Sequence, residues 1–272
     1  MAEHWTDSSG SVDRIVLAGD RRPDDPLAVS AGVSGKALVP VAGQAMLAHV
    51  VRTLMTWPRR GRVIVVAPDH QAYRKAAEEG AGGAADGLVW VEPAPSLTGS
   101  VSRALSCVRS PRCLLLTADH VLLDSAWLEH LLAADVARNA SLAVGLADWN
   151  AVMARFPGSR RTRYRFSDHA ACGTNLFLIN ERAGVDRILA QWNKVEQQRK
   201  KPWRIVSMLG WGNLSRYLAG RLSLDEAFSS LSSKLGAQVQ PILVPDPLAA
   251  VDVDSVADLA LVEQVLAQRA AS

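Results

Sequence analysis

The stretch "CLLLTADH", residues 113–120, is the clearest of several short apolar runs that decide the fold. Its apolar residues lead directly into an acidic turn, which is typical of a buried strand in a parallel sheet. Segments with helical periodicity separate it from similar runs. This alternation predicts βαβ units, and so an α/β protein with a mainly parallel sheet and helices on both faces. The other runs are "RIVLAG" at 14–19, "RVIVVA" at 62–67, "LVWVE" at 88–92 and "SLAVGLA" at 141–147.

From about residue 150 the sequence changes in character. A basic, irregular stretch leads to a strand-like "TNLFLIN" at 174–180, and about sixty residues of helical pattern follow. Near the end, "VQPILV" and "AAVDVDS" predict two short strands before a closing amphipathic helix. We expect one domain over 13–268, a partly helical region at about 150–238 within it, and flexible termini at 1–12 and 269–272.

Composition excludes several classes of protein. With 272 residues, 49% of them hydrophobic, the chain can bury a substantial core. Thirty basic and 27 acidic residues give a net charge of only +3, so we expect no nucleic-acid partner. Cys107, Cys113 and Cys172 match no metal or disulfide framework. The N-terminus lacks the layout of a signal peptide and no window is apolar enough to span a bilayer, so we expect a cytoplasmic protein.

Asp119 is the first candidate for chemistry. Ligands of open parallel sheets bind beyond the carboxyl ends of the strands, and Asp119 directly follows such a strand. A carboxylate there can hold Mg²⁺, which prefers a few carboxylates together with phosphate oxygens of the substrate. The alternative is that Asp119 only caps a turn.

Asp252 and Asp254 form a second acidic group, in "AAVDVDSVADL". They alternate with valines, so a strand would place both carboxylates on the same face. Two adjacent like charges repel each other unless a cation neutralises them. The alternative is that Asp254 or Ser255 only caps the closing helix.

Lys36 is the third candidate, in "GVSGKALVPVAG" at 32–43. A lysine after two glycines can reach a triphosphate while neighbouring backbone N–H groups contact its oxygens. The segment is not a Walker A loop, because Ala37 stands where that loop requires Ser or Thr. Taken alone, Lys36 fits a solvated lysine better than a phosphate contact.

Together and in this order, four segments resemble the MobA-like NTP-transferase group of nucleotidyltransferases, whose relatives include the cytidylyltransferases of sugar and alcohol phosphates. The resemblance covers about 13–147 and 239–268. It implies a Rossmann-like sheet of the GT-A type. It also implies attack of an acceptor phosphate on the α-phosphorus of an NTP, with release of pyrophosphate. The segments are "VLAG" at 16–19, "KALVPVAGQAML" at 36–47, "LLLTADHVLL" at 114–123 and "VDVDSVADL" at 251–259.

The resemblance also implies roles for single residues. Lys36 and Asp119 become the catalytic pair, with Lys36 on the phosphates and Asp119 on Mg²⁺, and Asp254 or Asp252 supplies a second carboxylate. "Gly-Ser-Val" at 99–101 is more similar to cytidylyltransferases than to guanylyltransferases, which favours CTP weakly. The residues so expected at the nucleotide are Leu17, Ala18, Gly19, Arg21, Arg22, Gly35, Lys36, Thr98, Gly99 and Ser100.

The sequence departs from the family in its opening loop. Relatives carry a compact Gly-Gly-x-Ser-x-Arg-Met-Gly, whereas here Gly19 is followed by "DRRPDDPLAVSAGVSG" at 20–35. Arg21 or Arg22 can replace the missing arginine, because a guanidinium binds phosphate through two hydrogen bonds. The alternative is a solvated surface loop.

The expected acceptor side lies later in the chain. Arg163 and Arg165 stand in a basic stretch that can receive a phosphorylated small molecule, and Asn175 resembles a residue that seats the acceptor in relatives. The usual alternative for a charge run is a solvated face. Residues 192–221 combine Trp, Leu and basic residues. This pattern favours either a helix on anionic lipid at the inner face of the membrane, with a lipid-linked acceptor, or a helix packed on the core.

Two other functions remain open from the sequence. A GT-A glycosyltransferase also holds a metal with acidic residues after a strand, but "KALVPVAG" is a feature of NTP transferases. A catalytically inactive nucleotide-binding or sensing domain is consistent with the altered opening loop.

Overall fold

The computed structural model describes residues 10–20, 24–83, 85–134, 140–196 and 210–271. The contacts between Cα atoms group the chain into two units. We call Thr6–Trp127 with Val251–Ser272 the terminal unit, and Leu128–Ala250 the middle unit. The single domain over 13–268 stays a prediction.

In the described part of the chain, strands and helices alternate up to about residue 150, as the apolar runs predict, and further elements follow up to residue 270. The strands are β1 (Val12–Leu17), β2 (Pro40–Val41), β3 (Gln44–Ala45), β4 (Val63–Val66), β5 (Leu88–Val91), β6 (Arg112–Thr117), β7 (Leu142–Asp148), β8 (Tyr164–Arg165), β9 (Ala170–Ile179) and β10 (Val239–Val244). The helices are α1 (Pro26–Ala31), α2 (Met46–Thr56), α3 (Gln71–Gly80), α4 (Leu97–Leu105), α5 (Ser125–Ala133), α6 (Trp149–Arg155), α7 (Arg182–Glu196), α8 (Trp211–Leu218), α9 (Leu224–Leu235) and α10 (Val256–Ala270).

The terminal unit contains four parallel strands in the order β6-β1-β4-β5. Leu17 pairs with Val66 on one side and with Thr117 on the other, so the carboxyl ends of these strands lie at one edge. All of β4 is buried, because a parallel strand covered on both faces has no polar side. On α2, Leu47 and Leu54 are fully buried, as expected of an amphipathic helix that packs on a core.

The middle unit has a mixed set of strands. β7 pairs in parallel with β10 and antiparallel with β9, and β9 also pairs antiparallel with β8. Leu146, Ala171 and Leu224 form a buried cluster in this unit. Among the described strands, three parallel pairings lie within the terminal unit and one lies within the middle unit. The prediction of an α/β, Rossmann-like fold with a mainly parallel sheet is confirmed.

The predicted strand in "AAVDVDS" is wrong. Within the described chain, residues 251–254 form no strand, and a 3₁₀ turn over Pro247–Ala250 precedes them. The alternation is nevertheless real, because Val251 and Val253 are fully buried while Asp254 is exposed. Burial of alternate valines requires an extended backbone but not a neighbouring strand.

None of the helices in the described part of the chain combines the length and the apolar character needed to cross a bilayer.

Candidate active site

Lys36 lies at the start of a short 3₁₀ turn, Lys36–Leu38, and its ammonium joins two carboxylates. Lys36 Nζ lies 2.6 Å from Asp119 Oδ2, and it also donates to Asp254 Oδ1. The side chains of Lys36 and Asp119 are each 18% exposed, whereas that of Asp254 is 62% exposed. Three segments that are distant in sequence therefore meet around one ammonium group.

Two hydrogen bonds fix the position of Asp119 at the end of β6. The Thr117 hydroxyl donates to Asp119 Oδ1 at 2.5 Å. The backbone N–H of Val253 donates to the Asp119 carbonyl at 3.1 Å. This second bond joins the segment that carries Asp252 and Asp254 to the carboxyl edge of the sheet.

Asp119, Asp252 and Asp254 form an acidic cluster. Each offers a carboxylate oxygen, and these oxygens lie within 4.8 Å of one another. Such a group of like charges is stable only beside a cation, and the Lys36 ammonium supplies one. A set of carboxylate oxygens is also the donor set that Mg²⁺ prefers, so these residues fit a divalent cation.

The charges of Lys36 and Asp119 stabilise each other. Burial acts to lower the pKa of Lys36, but the negative charge of Asp119 and the hydrogen bonds to both carboxylates outweigh it and raise that pKa above its usual value. Burial acts to raise the pKa of Asp119, but Lys36 and the Thr117 hydroxyl outweigh it and lower that pKa. Both groups are therefore charged at neutral pH.

Asp20 and Tyr73 also contact the segment that carries Lys36, and the sequence did not reveal either contact. Asp20 Oδ1 accepts a hydrogen bond from the Lys36 backbone N–H at 2.9 Å. Asp20 Oδ2 accepts one from the Tyr73 hydroxyl at 3.0 Å. The one available signal was that the opening loop, which begins at Asp20, departs from the family pattern.

Comparison with known proteins agrees with this geometry. The family model described as the MobA-like NTP transferase domain matches residues 15–198, which is more than half of the chain. The chain belongs to this family. The resemblance stated from the sequence is thereby confirmed, and with it the assignment of the chain to the nucleotidyltransferases, an enzyme class.

Solved structures give the same fold. A hypothetical transferase from Thermus thermophilus is 28% identical, with a TM-score of 0.73 over 92% of this chain and 99% of that one. A 4-diphosphocytidyl-2C-methyl-D-erythritol synthase from Anaerococcus prevotii is 10% identical, with a TM-score of 0.58 over 95% and 99% of the two chains. A CMP-2-keto-3-deoxy-manno-octonic acid synthetase in complex with CTP is 16% identical, with a TM-score of 0.55 over 96% and 100%. No curated protein matches the chain.

In this MobA-like chain, the first expected nucleotide contacts lie at the end of β1. Leu17 is the last residue of the strand, and the N–H of Ala18, which is buried, donates to the Val66 carbonyl at 2.8 Å. Gly19 is exposed, and a Cβ there would lie 3.3 Å from Cβ of Pro93. The loop after β5 therefore approaches the loop after β1 closely. Arg21 and Arg22 lie outside the described residues.

The expected base-side residues form the first turn of α4. Thr98 and Ser100 are buried, and the Ser100 hydroxyl accepts from the Ala94 N–H at 2.8 Å and donates to the Ser96 carbonyl at 3.0 Å. A Cβ on Gly99 would lie 2.8 Å from that of Ala94. These residues therefore hold the loop that connects β5 to α4.

The expected acceptor residues lie in the middle unit. Asn175 has a positive φ of 54°, where the pairing of β7 with β9 shifts register. The Arg163 guanidinium stacks 4.4 Å from the centre of the Trp149 ring. Arg165 is exposed in β8, and its backbone N–H donates to the Tyr217 hydroxyl at 3.2 Å.

Only part of the expected lipid-facing segment, 192–221, can be placed, because 197–209 lies outside the described residues. On α8, Trp211 and Leu218 are 80% and 76% exposed, while Leu214 is buried. The spacing of seven residues puts the two exposed apolar side chains on one face of the helix.

Proposed function

We propose that this MobA-like protein transfers a nucleoside monophosphate from an NTP to a phosphorylated acceptor, with Mg²⁺, and releases pyrophosphate. The observation that carries the proposal is the ammonium of Lys36 between Asp119 and Asp254 at the carboxyl edge of a parallel sheet. Phosphoryl and nucleotidyl transfer need little covalent chemistry from the protein. They need reactants held in line and negative charge neutralised, and this group of charges can do both.

The metal would be held by Asp119 together with Asp254 or Asp252. Bound there, Mg²⁺ would supply positive charge to the phosphate oxygens. Since Lys36 already occupies oxygens of two of these carboxylates, the ammonium and a divalent cation compete for the same donors. Freed from them, the Lys36 side chain would contact the triphosphate.

The nucleotide would lie along the carboxyl edge of the terminal unit. Its triphosphate would contact the turn after β1, including Leu17, Ala18 and Gly19, with Arg21 or Arg22 as an added cation. Gly35 and Lys36 would contact the phosphates from the other end of the loop. Because the Lys36 N–H already donates to Asp20, Lys36 would act through its ammonium and not its amide.

CTP is our preferred donor. The base and ribose would lie near the first turn of α4, at Thr98, Gly99 and Ser100. The sequence Gly-Ser-Val at 99–101 supports cytidine, and one structural neighbour is a complex with CTP.

The acceptor would be a phosphorylated sugar or alcohol, or a lipid-linked phosphate, held by Asn175, Arg163 and Arg165. Exposed arginines suit a dianionic phosphate because the guanidinium offers paired donors. The name of one neighbour describes cytidine diphosphate joined to an alcohol, which supports this class of acceptor.

We also propose a cytoplasmic location and, separately, peripheral contact with the inner face of the membrane through 192–221. The exposed side chains of Trp211 and Leu218 support the membrane contact. We expect the protein to sediment with liposomes of anionic lipid at low salt, and Trp211→Ala to weaken this. Failure of the wild type to sediment would count against membrane contact.

Pyrophosphate release tests the function. The purified protein is incubated with Mg²⁺, each of the four NTPs and a panel of phosphorylated acceptors. We expect release with CTP and one class of acceptor, its loss in Asp119→Ala, and its retention in the control Asp86→Ala, which changes an exposed carboxylate. Tight nucleotide binding without release would favour the sensing domain, and transfer of a sugar from a nucleotide sugar would favour the glycosyltransferase.

A further inference from the structure

The opening loop, residues 20–35, departs from the family pattern, and its two ends are joined by a hydrogen-bonded bridge. We propose that Asp20 and Tyr73 are positioning residues that hold the Lys36 backbone so that its ammonium is directed at the acidic cluster and the triphosphate. The inference rests on the proposed function and names residues that act through Lys36.

The bridge consists of two hydrogen bonds to one carboxylate. Asp20 Oδ1 accepts from the N–H of Lys36 at 2.9 Å, and Asp20 Oδ2 accepts from the Tyr73 hydroxyl at 3.0 Å. The first bond joins Asp20, shortly after β1, to Lys36, which lies sixteen residues later in the chain. The second bond connects the same carboxylate to Tyr73 of α3, the helix that follows β4.

Tyr73 gives the bridge a rigid support. Its side chain is only 2% exposed, and Ala76 and Ala77 of the same helix are also buried. Burial and the adjacent Asp20 carboxylate both raise the pKa of Tyr73, so its hydroxyl keeps its proton and donates to Asp20. A buried donor with a fixed rotamer holds its acceptor more precisely than a solvated one.

Gly35 shows how closely the bridge is packed. A Cβ at this position would lie 1.8 Å from the Tyr73 hydroxyl oxygen and 2.2 Å from Asp20 Oδ2. Gly35 is buried, and its φ of −174° is ordinary extended backbone, so the need for glycine here comes from this close approach and not from its backbone conformation.

The bridge holds the opening loop through the two oxygens of one carboxylate. The Asp20 carboxylate at the start of the loop accepts from the backbone N–H of Lys36 just after its end, and Tyr73 of α3 donates to the same carboxylate. The orientation of the Lys36–Leu38 turn, and hence the direction of the Lys36 side chain, depends on Asp20.

Three variants test the bridge. Asp20→Ala removes both hydrogen bonds, Asp20→Asn keeps an acceptor for the Lys36 N–H, and Tyr73→Phe removes only the second bond. We expect kcat/KM for the NTP to fall at least tenfold in Asp20→Ala, to stay within about threefold of the wild type in Asp20→Asn, and to be intermediate in Tyr73→Phe. Asp86→Ala is the matched control for loss of an exposed carboxylate.

Amide hydrogen exchange gives a readout that does not depend on turnover. In the peptide that contains Lys36, we expect one amide to exchange at least tenfold faster in Asp20→Ala than in the wild type or Asp20→Asn. Unchanged exchange in Asp20→Ala would overturn the bridge even if activity fell. If the wild type released no pyrophosphate with any NTP, the proposed function would fail. The exchange result would still show whether Asp20 holds the backbone of Lys36.

The pattern of rescue separates positioning from two other roles. If Asp20→Asn and Asp20→Ala both bind NTP more tightly than the wild type, Asp20 acts by repelling phosphate and the proposal is wrong. If both lose activity in parallel with a lowered unfolding temperature, the role is only structural and the proposal is also wrong.

Discussion

Replacing Lys36 by methionine should have opposite effects on metal binding and on catalysis. Methionine keeps most of the length of the side chain but removes the ammonium that bridges Asp119 and Asp254. A divalent cation that enters the acidic cluster of the wild type must first break these two contacts. In Lys36→Met the carboxylates are free, so the cation should bind more tightly.

The size of the effect follows from the two contacts. A hydrogen bond to a charged group contributes about 1.5–3 kcal/mol net. The contact to Asp119 is mostly buried and counts in full, whereas Asp254 is 62% exposed, so solvent weakens the second contact. Loss of about 2 kcal/mol of competition corresponds to roughly 30-fold tighter binding of the metal.

Mn²⁺ binding without nucleotide, measured by calorimetry or by paramagnetic resonance of the free ion, gives the comparison. Lys75→Met is the matched control, because the side chain of Lys75 is 75% exposed and its ammonium lies 3.8 Å from a carboxylate oxygen of Glu79. Pyrophosphate release by Lys36→Met should fall at least 100-fold, since the charge on the phosphates is lost. Equal or weaker Mn²⁺ binding in Lys36→Met would refute the competition.

Two further predictions concern hydrogen bonds to buried carboxylates. Asp13 is 1% exposed and accepts from three backbone amides and a serine hydroxyl, which outweigh burial and lower its pKa. A carboxylate whose pKa is lowered in the folded state adds stability above its unfolded pKa, and this stability is lost as the pH falls. Asp13→Asn should therefore reduce the free energy of unfolding in urea by about 2–3 kcal/mol at pH 7, with a smaller difference below about pH 4. An unchanged urea midpoint would contradict this. Thr117→Val removes the hydroxyl that donates to Asp119 and should weaken Mn²⁺ binding by about tenfold. Thr117→Ser keeps the hydroxyl and should bind Mn²⁺ as the wild type does. Equal affinity in the wild type and both variants would show that this hydroxyl does not orient the Asp119 carboxylate.

The strands could be predicted from the sequence because burial on both faces leaves a local signature. The run at 62–67 contains β4, and the run at 113–120 contains most of β6. The same logic failed at 251–254. There, alternating valines are buried as in a strand. The backbone N–H of Val253, however, donates to the carbonyl of Asp119, which is not part of a strand.

The site was predictable only where residue type and order carry the chemistry. Lys36, Asp119 and Asp254 stand out because each has an acidic or basic group beside an apolar segment, and the structure brings them together. Asp20 and Tyr73 are 53 residues apart, and their contact depends on how α3 packs against the loop. No local pattern in the sequence encodes such a contact.

The fate of each phosphorus atom of the NTP tests the central claim most directly. With Mg²⁺ and a phosphorylated acceptor, CTP labelled at the α-phosphorus should pass its label to the acceptor, and CTP labelled at the γ-phosphorus should release it as pyrophosphate. Both transfers should be lost in Asp119→Asn. Appearance of the γ-label on the acceptor, or no transfer of the α-label from any NTP to any acceptor, would contradict the assignment of this site to nucleotidyl transfer.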